Sequence, residues 1–280
     1  PPFLMIRRPP RSTPMLNRRQ RQMCIRDRVR NVNGPALVGI DDAGGRRLAE
    51  RTDRPTYGTS PEAVWRISNV EEGAMQVRFD LDGPGFSQNV LVSRPGLHTA
   101  RNAAGAIALL SELEFDAAEA ARSLTEFAGV RRRYEVRATI GGVTIIDDYA
   151  HHPTEVAATV RTALRGDWNR VWAVFQPHLY SRTETFQREF GLAMSGCDHV
   201  VVTDVFGARE MPLPGVTGQL VADAAGNLTD SEVHYVPHRS ELSDFLAGVV
   251  RPGDLVLTMG AGDITLLPGE LAKAISLEEQ

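Results

Sequence analysis

Residues 143–156 read V-T-I-I-D-D-Y-A-H-H-P-T-E-V, and this stretch decides the fold. Residues 143–146 have the pattern of a buried strand, which ends abruptly in two acids, a tyrosine and two histidines. Pro153 then opens an amphipathic helix, because proline is favoured in the first helical turn. Titratable residues between a strand and a helix are typical of the edge where open α/β sheets bind ligands. The stretch therefore predicts an α/β sheet with a functional site at the carboxyl edge.

The same alternation of strand and helix continues to the end of the chain. Short apolar runs predict strands over residues 143–146, 171–175, 199–205, 233–236 and 255–259. Helical spacing of apolar residues predicts helices over residues 154–164, 183–194, 217–225, 240–250 and 268–275. This order predicts a mainly parallel, doubly wound sheet whose right-handed crossovers bring the carboxyl ends of the strands to one edge.

The region before residue 130 is mixed in character. It predicts strands over residues 36–40, 63–67, 75–81 and 89–93, of which 63–67 and 75–81 look antiparallel. It predicts helices over residues 44–51, 99–113 and 116–127. The fold class is therefore α/β, with one domain over residues 29–129 and a second over residues 130–280.

Composition bounds the class of protein. The chain has 280 residues, 42% of them hydrophobic and 24% charged, with a net charge of −4, which fits a globular protein and gives no hint of nucleic acid or membrane binding. No apolar run approaches the ~20 residues of a membrane span, and the two cysteines form no disulfide framework. We expect a cytoplasmic protein. Lys273 is the only lysine, so the chain contains no G-K-[ST] phosphate loop.

Residues 1–28 are rich in arginine and proline and show no periodicity. A basic arm or a transit peptide has this composition, and so does a disordered segment. The strings F-L-M-I-R-R-P-P-R-S-T and R-Q-R-Q-M-C-I-R-D-R resemble translated sequencing adaptor. We therefore interpret residues 1–28 as a non-native or disordered tail, and we expect the natural protein to begin upstream of Val29.

The acids and histidines of the opening stretch allow several roles. Asp147 and Asp148 can bind a ribose, hold a metal or cap the next helix. They point to opposite faces of the strand, so we expect different roles for them. His151 and His152 are adjacent rather than four apart, which disfavours a helical zinc pair. A histidine that hydrogen-bonds an anionic substrate fits His151 better.

A second polar segment, F-Q-P-H-L-Y-S-R-T, follows the apolar strand at 171–175. We expect His178 and Arg182 to lie at the same edge as His151. A guanidinium at a helix start is unfavourable for the helix dipole, whereas its planar fork suits carboxylates and phosphates. The Gly-rich turn at 260–263 is a weaker signal, because such turns also arise for packing.

Two further groups of residues leave function and a structural role equally open. His98 and Asn102 are four apart on a predicted helix, so they can read the edge of a base or simply lie at the surface. Residues 131–133 are three arginines between the two halves of the chain. They can clamp a polyphosphate at a domain junction or form a solvated face.

Four motifs together resemble the Mur ligase family. They are H-T-A-R-N-A-A at 98–104, G-V-R-R-R-Y-E at 129–135, D-D-Y-A-H-H-P-T-E-V at 147–156 and F-Q-P-H-L-Y-S-R-T at 175–183, with support from G-A-G-D at 260–263. The resemblance covers residue 29 to the end. It implies a partial Mur ligase central ATPase domain followed by a Rossmann-like C-terminal domain with a mainly parallel sheet.

The resemblance also implies site residues. Those that would bind ATP are His98, Asn102, Arg132 and Asp148. Those that would hold L-alanine or the reacting carboxylate, and act in catalysis, are Tyr149, His151 and Arg182, with His178 as a further substrate contact. No metal ligand is expected in this chain, because the family's phosphate loop, catalytic Glu and Mg²⁺ ligands lie upstream of it. Leu179 stands where some relatives carry an arginine.

The implied reaction is ATP-dependent joining of L-alanine to UDP-N-acetylmuramate through an acyl phosphate, a step of peptidoglycan synthesis. The implied partners are these substrates and ATP with Mg²⁺, with no nucleic acid and no membrane. A ligase that attaches a recycled tripeptide to the same sugar nucleotide is the nearest alternative. A non-catalytic nucleotide-binding module and a metallohydrolase based on the Asp and His cluster are alternatives of other classes.

Overall fold

The computed structural model describes residues 32–278. The predicted tail over residues 1–28 lies outside this range. By internal contacts the described chain divides into two compact units. One contains residues 32–69, 79–90 and 101–122, and the other contains residues 70–78, 91–100 and 123–278. The predicted domain boundary after residue 129 stays a prediction.

A five-stranded sheet in the order β1-β2-β3-β4-β5 lies in the first part of the chain. Its strands are β1 (Val38–Gly39), β2 (Thr56–Gly58), β3 (Trp65–Glu72), β4 (Val77–Gly83) and β5 (Phe86–Val92). Strands β1, β2 and β3 are parallel, whereas a link of only four residues requires β3 and β4 to be antiparallel. The helices of this part are α1 (Ala43–Ala49), α2 (Leu97–Glu112) and α3 (Ala117–Ser123).

Burial alternates along β3 and β4 as expected for strands with one packed face. Trp65, Ile67, Phe79 and Leu81 are all buried, while the residues between them are more exposed. Helix α3 is shorter than the predicted 116–127, because residues 124–127 form turns instead. Strand β2 was not predicted, since three residues are too few to show a periodicity.

The second part of the chain forms a six-stranded sheet in the order β10-β9-β8-β11-β7-β6. Its strands are β6 (Glu135–Ile140), β7 (Val143–Asp148), β8 (Val171–Phe175), β9 (His199–Val202), β10 (Glu232–Tyr235) and β11 (Leu255–Met259). Its helices are α4 (Pro153–Ala163), α5 (Tyr180–Ala193), α6 (Gln219–Leu228), α7 (Leu242–Val249) and α8 (Leu267–Glu278). The 3-10 turns Arg239–Glu241 and Asp263–Leu266 precede α7 and α8.

Both faces of this sheet are covered by helices, which explains its near-continuous apolar strands. All five residues of β8 and all five of β11 are buried. Phe175 and Leu257 pack with α4, α5 and α6 on one face, whereas Val174 and Val256 pack with α7 and α8 on the other. The predicted α/β class and mainly parallel sheet are confirmed.

The edge strand β6 was missed in the sequence, and it is the one antiparallel member of the sheet. It runs directly into β7 through Gly141 and Gly142, both with positive φ. Its residues are partly or fully exposed, because an edge strand with one outer face lacks the apolar run that marks the central strands. Its pairing with β7 brings residues 132–134 to the carboxyl end of β7.

Candidate functional site

Three adjacent strands end side by side and define the site. In the parallel register Asp148 of β7 pairs with Met259 of β11, and Met259 pairs with Phe175 of β8. The loops that follow these strands therefore leave the sheet at the same level. We call this edge the carboxyl rim, defined by residues 147–152, 176–182 and 260–263.

Asp147 is fully buried at the carboxyl rim. Its two oxygens accept hydrogen bonds from the hydroxyls of Thr258 at 3.2 Å and Thr265 at 2.7 Å. The guanidinium groups of Arg132 and Arg137 lie 3.6 Å and 3.5 Å from its Oδ2. Hydroxyl donors thus satisfy the carboxylate, while the two arginines offset its charge at longer range.

Asp148 points the other way, as its position in the strand predicts, and is 6% exposed. Its oxygens accept the backbone N–H groups of Tyr134 and Ala150, both at 2.8 Å. Burial raises the pKa of Asp148 to about 6, although the two hydrogen bonds oppose this shift. In the structure Asp148 holds the turn at residues 132–134 against β7.

Arg132 reaches across the carboxyl rim to the Gly-rich turn. Its guanidinium donates to the carbonyl of Gly260 at 2.7 Å and lies 4.7 Å over the ring of Tyr149. Its Nε is buried, lies 3.6 Å from Oδ2 of Asp147 and makes no hydrogen bond within the described residues. Its backbone has a positive φ of 58°, a conformation that costs energy for a side chain other than glycine and clusters at functional sites.

The Gly-rich turn is packed too closely for larger residues. A Cβ at Gly262 would lie 2.4 Å from Oε1 of Gln176 and 2.5 Å from the ring of Phe206. Gln176 itself donates to Asp263 at 2.7 Å and accepts the backbone N–H of Ile264. Packing and hydrogen bonding therefore account for the glycine here without a ligand.

Tyr149, His151, His178 and Arg182 form one cluster on the carboxyl rim. The rings of Tyr149 and His151 are 5.0 Å apart, and those of His151 and His178 are 5.8 Å apart, both edge to face. Arg182 donates to the carbonyl of His151 at 3.1 Å, which ties the start of α5 to the loop after β7. The structure thus brings together all four residues expected to contact the substrate.

His178 is the least satisfied member of this cluster. Its Nδ1 is buried and has no hydrogen-bond partner, and its ring stacks on Phe206 with centroids 6.0 Å apart. Burial lowers the pKa of His178, and the positive charges of Arg182 and His151 lower it further. A neutral imidazole with an unused nitrogen is suited to hydrogen-bond a polar ligand.

His152 has a structural role that the sequence left open. It is the N-cap of α4, and its Nδ1 accepts the N–H of Thr154 while Glu155 accepts the N–H of His152. This reciprocal arrangement is a capping box. The sequence also allowed Asp147 or Asp148 to cap this helix, and that prediction is wrong. Both carboxylates instead accept hydrogen bonds from other residues at the edge of the sheet.

The loop after β9 completes the carboxyl rim, and sequence reasoning did not identify its key residue. Glu210 accepts the backbone N–H of Ser181 at 2.9 Å and the hydroxyl of Ser181 at 2.5 Å. Burial raises the pKa of Glu210, but the hydrogen bonds outweigh this effect and lower it overall. Glu210 thereby fixes the residue next to Arg182, and only a contact across 29 residues reveals it.

Leu179 occupies the turn between β8 and α5 with φ 71° and ψ 130°. Its N–H donates to the carbonyl of Phe206 at 3.0 Å, so pairing with the loop after β9 holds it there. This backbone region is costly for a residue with a Cβ. The turn aims both His178 and Arg182 at the carboxyl rim.

His98 and Asn102 lie on α2, four residues apart and exposed. The ring of His98 packs against Gly96, whose φ is 95°. Their expected contact with a nucleotide base stays a prediction.

The residues present fit ATP better than they fit a magnesium ion. Arg132 offers a planar guanidinium suited to phosphate oxygens, with its Nε 3.6 Å from Oδ2 of Asp147 and one terminal nitrogen bonded to the carbonyl of Gly260. Within residues 32–278 the one group of three side chains placed to hold a metal is His199, Glu232 and His234, and it contains no aspartate from the carboxyl rim.

Within residues 32–278 no helix combines the length and the apolar character that crossing a bilayer requires.

Known proteins resemble this chain in both sequence and fold. Residues 132–262 match the family described as "Mur ligase, glutamate ligase domain". The chain is 43% identical over 235 residues to the UDP-N-acetylmuramate–L-alanine ligase of Salinibacter ruber. The matched region covers 82% of this chain and 50% of that relative. The chain thus spans about half the length of the curated relatives it matches.

Solved structures show the same fold. The UDP-N-acetylmuramate–alanine ligase of Thermotoga maritima matches with a TM-score of 0.77 at 24% identity, over 93% of this chain and 55% of that one. A second Mur ligase of Thermotoga maritima, solved in complex with ADP, matches with a TM-score of 0.70 at 17% identity, over 93% of this chain and 58% of that one. Together with the curated relatives, the family match shows that the chain carries the C-terminal domain of the Mur ligase family over residues 132–262.

Proposed function

We propose that this chain is the C-terminal part of an ATP-dependent ligase that joins L-alanine to UDP-N-acetylmuramate. The relatives at 37–44% identity are named for that reaction, and the chain matches about half of their length. The single structural observation that carries the proposal is the cluster of Tyr149, His151, His178 and Arg182 on the carboxyl rim.

The charge of the cluster suits the proposed substrates. L-Alanine brings a carboxylate and an amine, and the sugar nucleotide brings a lactyl carboxylate. The guanidinium of Arg182 is held 3.1 Å from the carbonyl of His151 by one nitrogen, which leaves its other donors for a carboxylate. The unused Nδ1 of His178 provides a further polar contact.

In the proposed reaction, ATP first transfers its γ-phosphoryl group to the lactyl carboxylate, which yields an acyl phosphate and ADP. The amine of L-alanine attacks the acyl carbon, an amide bond forms, and inorganic phosphate leaves with a proton lost from the amine. Arg182 and His151 orient the incoming amino acid, and the ring of Tyr149 packs beneath the guanidinium of Arg132. Positioning and charge offset are the usual sources of rate in phosphoryl transfer.

For ATP we propose His98 and Asn102 as base contacts and Arg132 as a phosphate contact. Asp148 then acts as a positioning residue, because one of its oxygens accepts the backbone N–H of Tyr134, in the turn that follows Arg132, while the other accepts the N–H of Ala150. Mg²⁺ is part of the proposed chemistry, with ligands outside this chain. A cytoplasmic location is proposed because the substrates are cytoplasmic nucleotides.

The tripeptide ligase remains the rival within the family, and the segment F-Q-P-H-L-Y-S-R-T at 175–183 favours the alanine ligase over it. Leu179 lies within this segment. It replaces the second arginine that some relatives carry, so Arg182 is left as the guanidinium of this segment. A non-catalytic nucleotide-binding module would use the ATP contacts but not the cluster around His178. No observation favours either rival over the alanine ligase.

The experiment uses a chimera in which residues 29–280 replace the matched half of the Salinibacter ruber ligase. We expect alanine-dependent phosphate release, with little activity when a tripeptide replaces alanine. Arg182→Ala should raise the KM for alanine by about 10- to 100-fold, the scale of about 1–3 kcal/mol for losing a charged hydrogen bond.

The matched control is Arg188→Ala, which removes an exposed arginine from the same helix, α5, and should leave the KM unchanged. A preference for tripeptide would overturn the choice of substrate. An unchanged alanine KM in Arg182→Ala would overturn the role of that residue. The 280-residue chain alone should release no alanine-dependent phosphate, because it has no G-K-[ST] loop.

A further inference from the structure

A second cluster of polar side chains lies at the amino end of the same sheet, remote in sequence from every proposed ligase residue. In the parallel register of β9 and β10, His199 pairs with Glu232. His234 is two residues beyond Glu232, so it projects from the same face of β10. All three side chains therefore meet on one face at the edge of the sheet.

The three side chains have the donor set and spacing of a transition-metal site. Nδ1 of His199 is 3.4 Å from one oxygen of Glu232, and Nε2 of His234 is 3.4 Å from the other. All the candidate ligand atoms lie within 4.8 Å of one another. Donors around a tetrahedral Zn²⁺ at about 2.1 Å are themselves about 3.4 Å apart.

The two imidazole nitrogens are close to Glu232 but are not hydrogen-bonded. Nδ1 of His199 and Nε2 of His234 are both buried and make no hydrogen bond within residues 32–278. Two neighbouring buried nitrogens without a hydrogen bond are unusual in a folded protein, since such groups are normally satisfied. A shared metal ion satisfies both at once.

The rings are held in place before any ion binds. His199 stacks on Trp172 with centroids 3.7 Å apart and an interplanar angle of 10°, and His234 packs on Phe245 at 5.2 Å. Glu232 is the exposed member of the cluster, with its side chain 65% exposed. Rigid histidines with one solvent-facing carboxylate leave a fourth position open to water.

An ion pair of Glu232 with two charged histidines explains the cluster less well. The rings of His199 and His234 are only 5.9 Å apart. Two imidazolium charges there would repel each other, and an exposed carboxylate offsets little of that repulsion.

We propose that His199, Glu232 and His234 bind one Zn²⁺ ion, with a water molecule as the fourth ligand. Two imidazoles and a carboxylate are ligands that Zn²⁺ accepts readily. The ion links the edge strand β10 to β9 and so stabilises the sheet at the end opposite the carboxyl rim. The site is independent of the proposed ligase activity.

The test is a titration of the 280-residue chain with Zn²⁺, after treatment with a chelator and its removal, followed by calorimetry. We expect one site per chain and a rise in the thermal midpoint when Zn²⁺ is added, because an ion that binds only the folded state stabilises it. Co²⁺ should give the strong visible absorption of a tetrahedral complex.

Glu232→Gln and His234→Gln should each weaken Zn²⁺ binding at least about 100-fold, since even changes outside the ligand set cost about 10–100-fold. Glu232 is exposed, so its variant keeps the fold. The matched controls Glu189→Gln and His238→Gln change exposed residues outside the cluster and should bind as the parent does. Absence of Zn²⁺ binding by the parent, or equal binding by the Glu232 and His234 variants, would overturn the site.

Discussion

The two ends of the six-stranded sheet hold buried aspartates in different ways. At the amino end, Asp254 is 1% exposed and accepts from Arg170 at 2.6 and 3.1 Å, from Nε1 of Trp172 at 3.1 Å and from the N–H of Arg251 at 2.9 Å. At the carboxyl rim, Asp147 is bonded by hydroxyls, and its arginines stay 3.5–3.6 Å away.

The distance from the carboxylate to its arginines distinguishes Asp254, which has a structural role, from Asp147 at the candidate functional site. The guanidinium of Arg170 binds Asp254 through two hydrogen bonds, so the two charges neutralise each other and neither side chain is available to bind a ligand. At the carboxyl rim the charges are offset at longer range, as the 3.6 Å between Nε of Arg132 and Oδ2 of Asp147 shows, so the carboxylate engages the guanidinium groups less tightly. The type of residue is the same at both ends, and the closeness of its partners distinguishes the roles.

The largest expected effect tests the amino end. Asp254→Asn removes the charge while Arg170 and Trp172 stay in place, so the free energy of unfolding of the 280-residue chain should fall by about 4 kcal/mol, the scale for breaking a buried pair. Urea unfolding measures it. The control Asp167→Asn changes an exposed aspartate and should cost less than about 0.5 kcal/mol. Equal losses in both variants would remove the contrast between the two ends.

The next effect tests the carboxyl rim through pH. Because the folded pKa of Asp148, about 6, lies above its ordinary value of 3.8, the folded chain binds this proton more tightly. The stability that protonated Asp148 contributes is present below about pH 4 and is lost as the pH rises through 6. Over that range the free energy of unfolding of the unsubstituted chain should therefore fall by about 3 kcal/mol relative to that of the Asp148→Asn variant.

Urea unfolding at pH 4, 5, 6 and 7 in both proteins measures the difference. A difference that does not change with pH would mean that Asp148 titrates normally and that both ends of the sheet hold their acids alike.

The smallest effect tests the strain at the carboxyl rim. At Leu179, with φ 71°, a glycine variant should be more stable than an alanine variant by about 1 kcal/mol, since glycine alone tolerates this conformation. The same pair of substitutions at the exposed Leu192 of α5 should show the opposite order, by about 1 kcal/mol. Thermal unfolding of the four variants measures these differences in stability. If the alanine variant is more stable than the glycine variant at both positions, the turn at Leu179 is unstrained.

Several elements could be predicted from sequence because their signals are local. Strands β8 and β11 match the predicted residues 171–175 and 255–259, since both faces of each are buried and every residue except Thr258 is apolar. The start of α4 follows from Pro153. The carboxyl rim follows from the rule that parallel strands end at one edge, and His151, His178 and Arg182 do meet there.

Other features have no local signal. Strand β6 depends on pairing with β7 rather than on its own composition. Glu210 is hydrogen-bonded to Ser181, 29 residues earlier, and His199 meets Glu232 only because β9 and β10 lie side by side. These contacts depend on register across the sheet, which no window of sequence contains.

The sequence by itself determined the α/β class, the succession of parallel strands and the edge where polar residues gather, because burial on both faces requires apolar strands and chain direction sets their ends. Only the tertiary structure decided which of those polar groups are satisfied internally. Asp148 is used by the turn at residues 132–134, whereas His178 keeps a free nitrogen. Hydrogen-bond partners of buried groups come from distant parts of the chain, so their availability is a property of the packed fold.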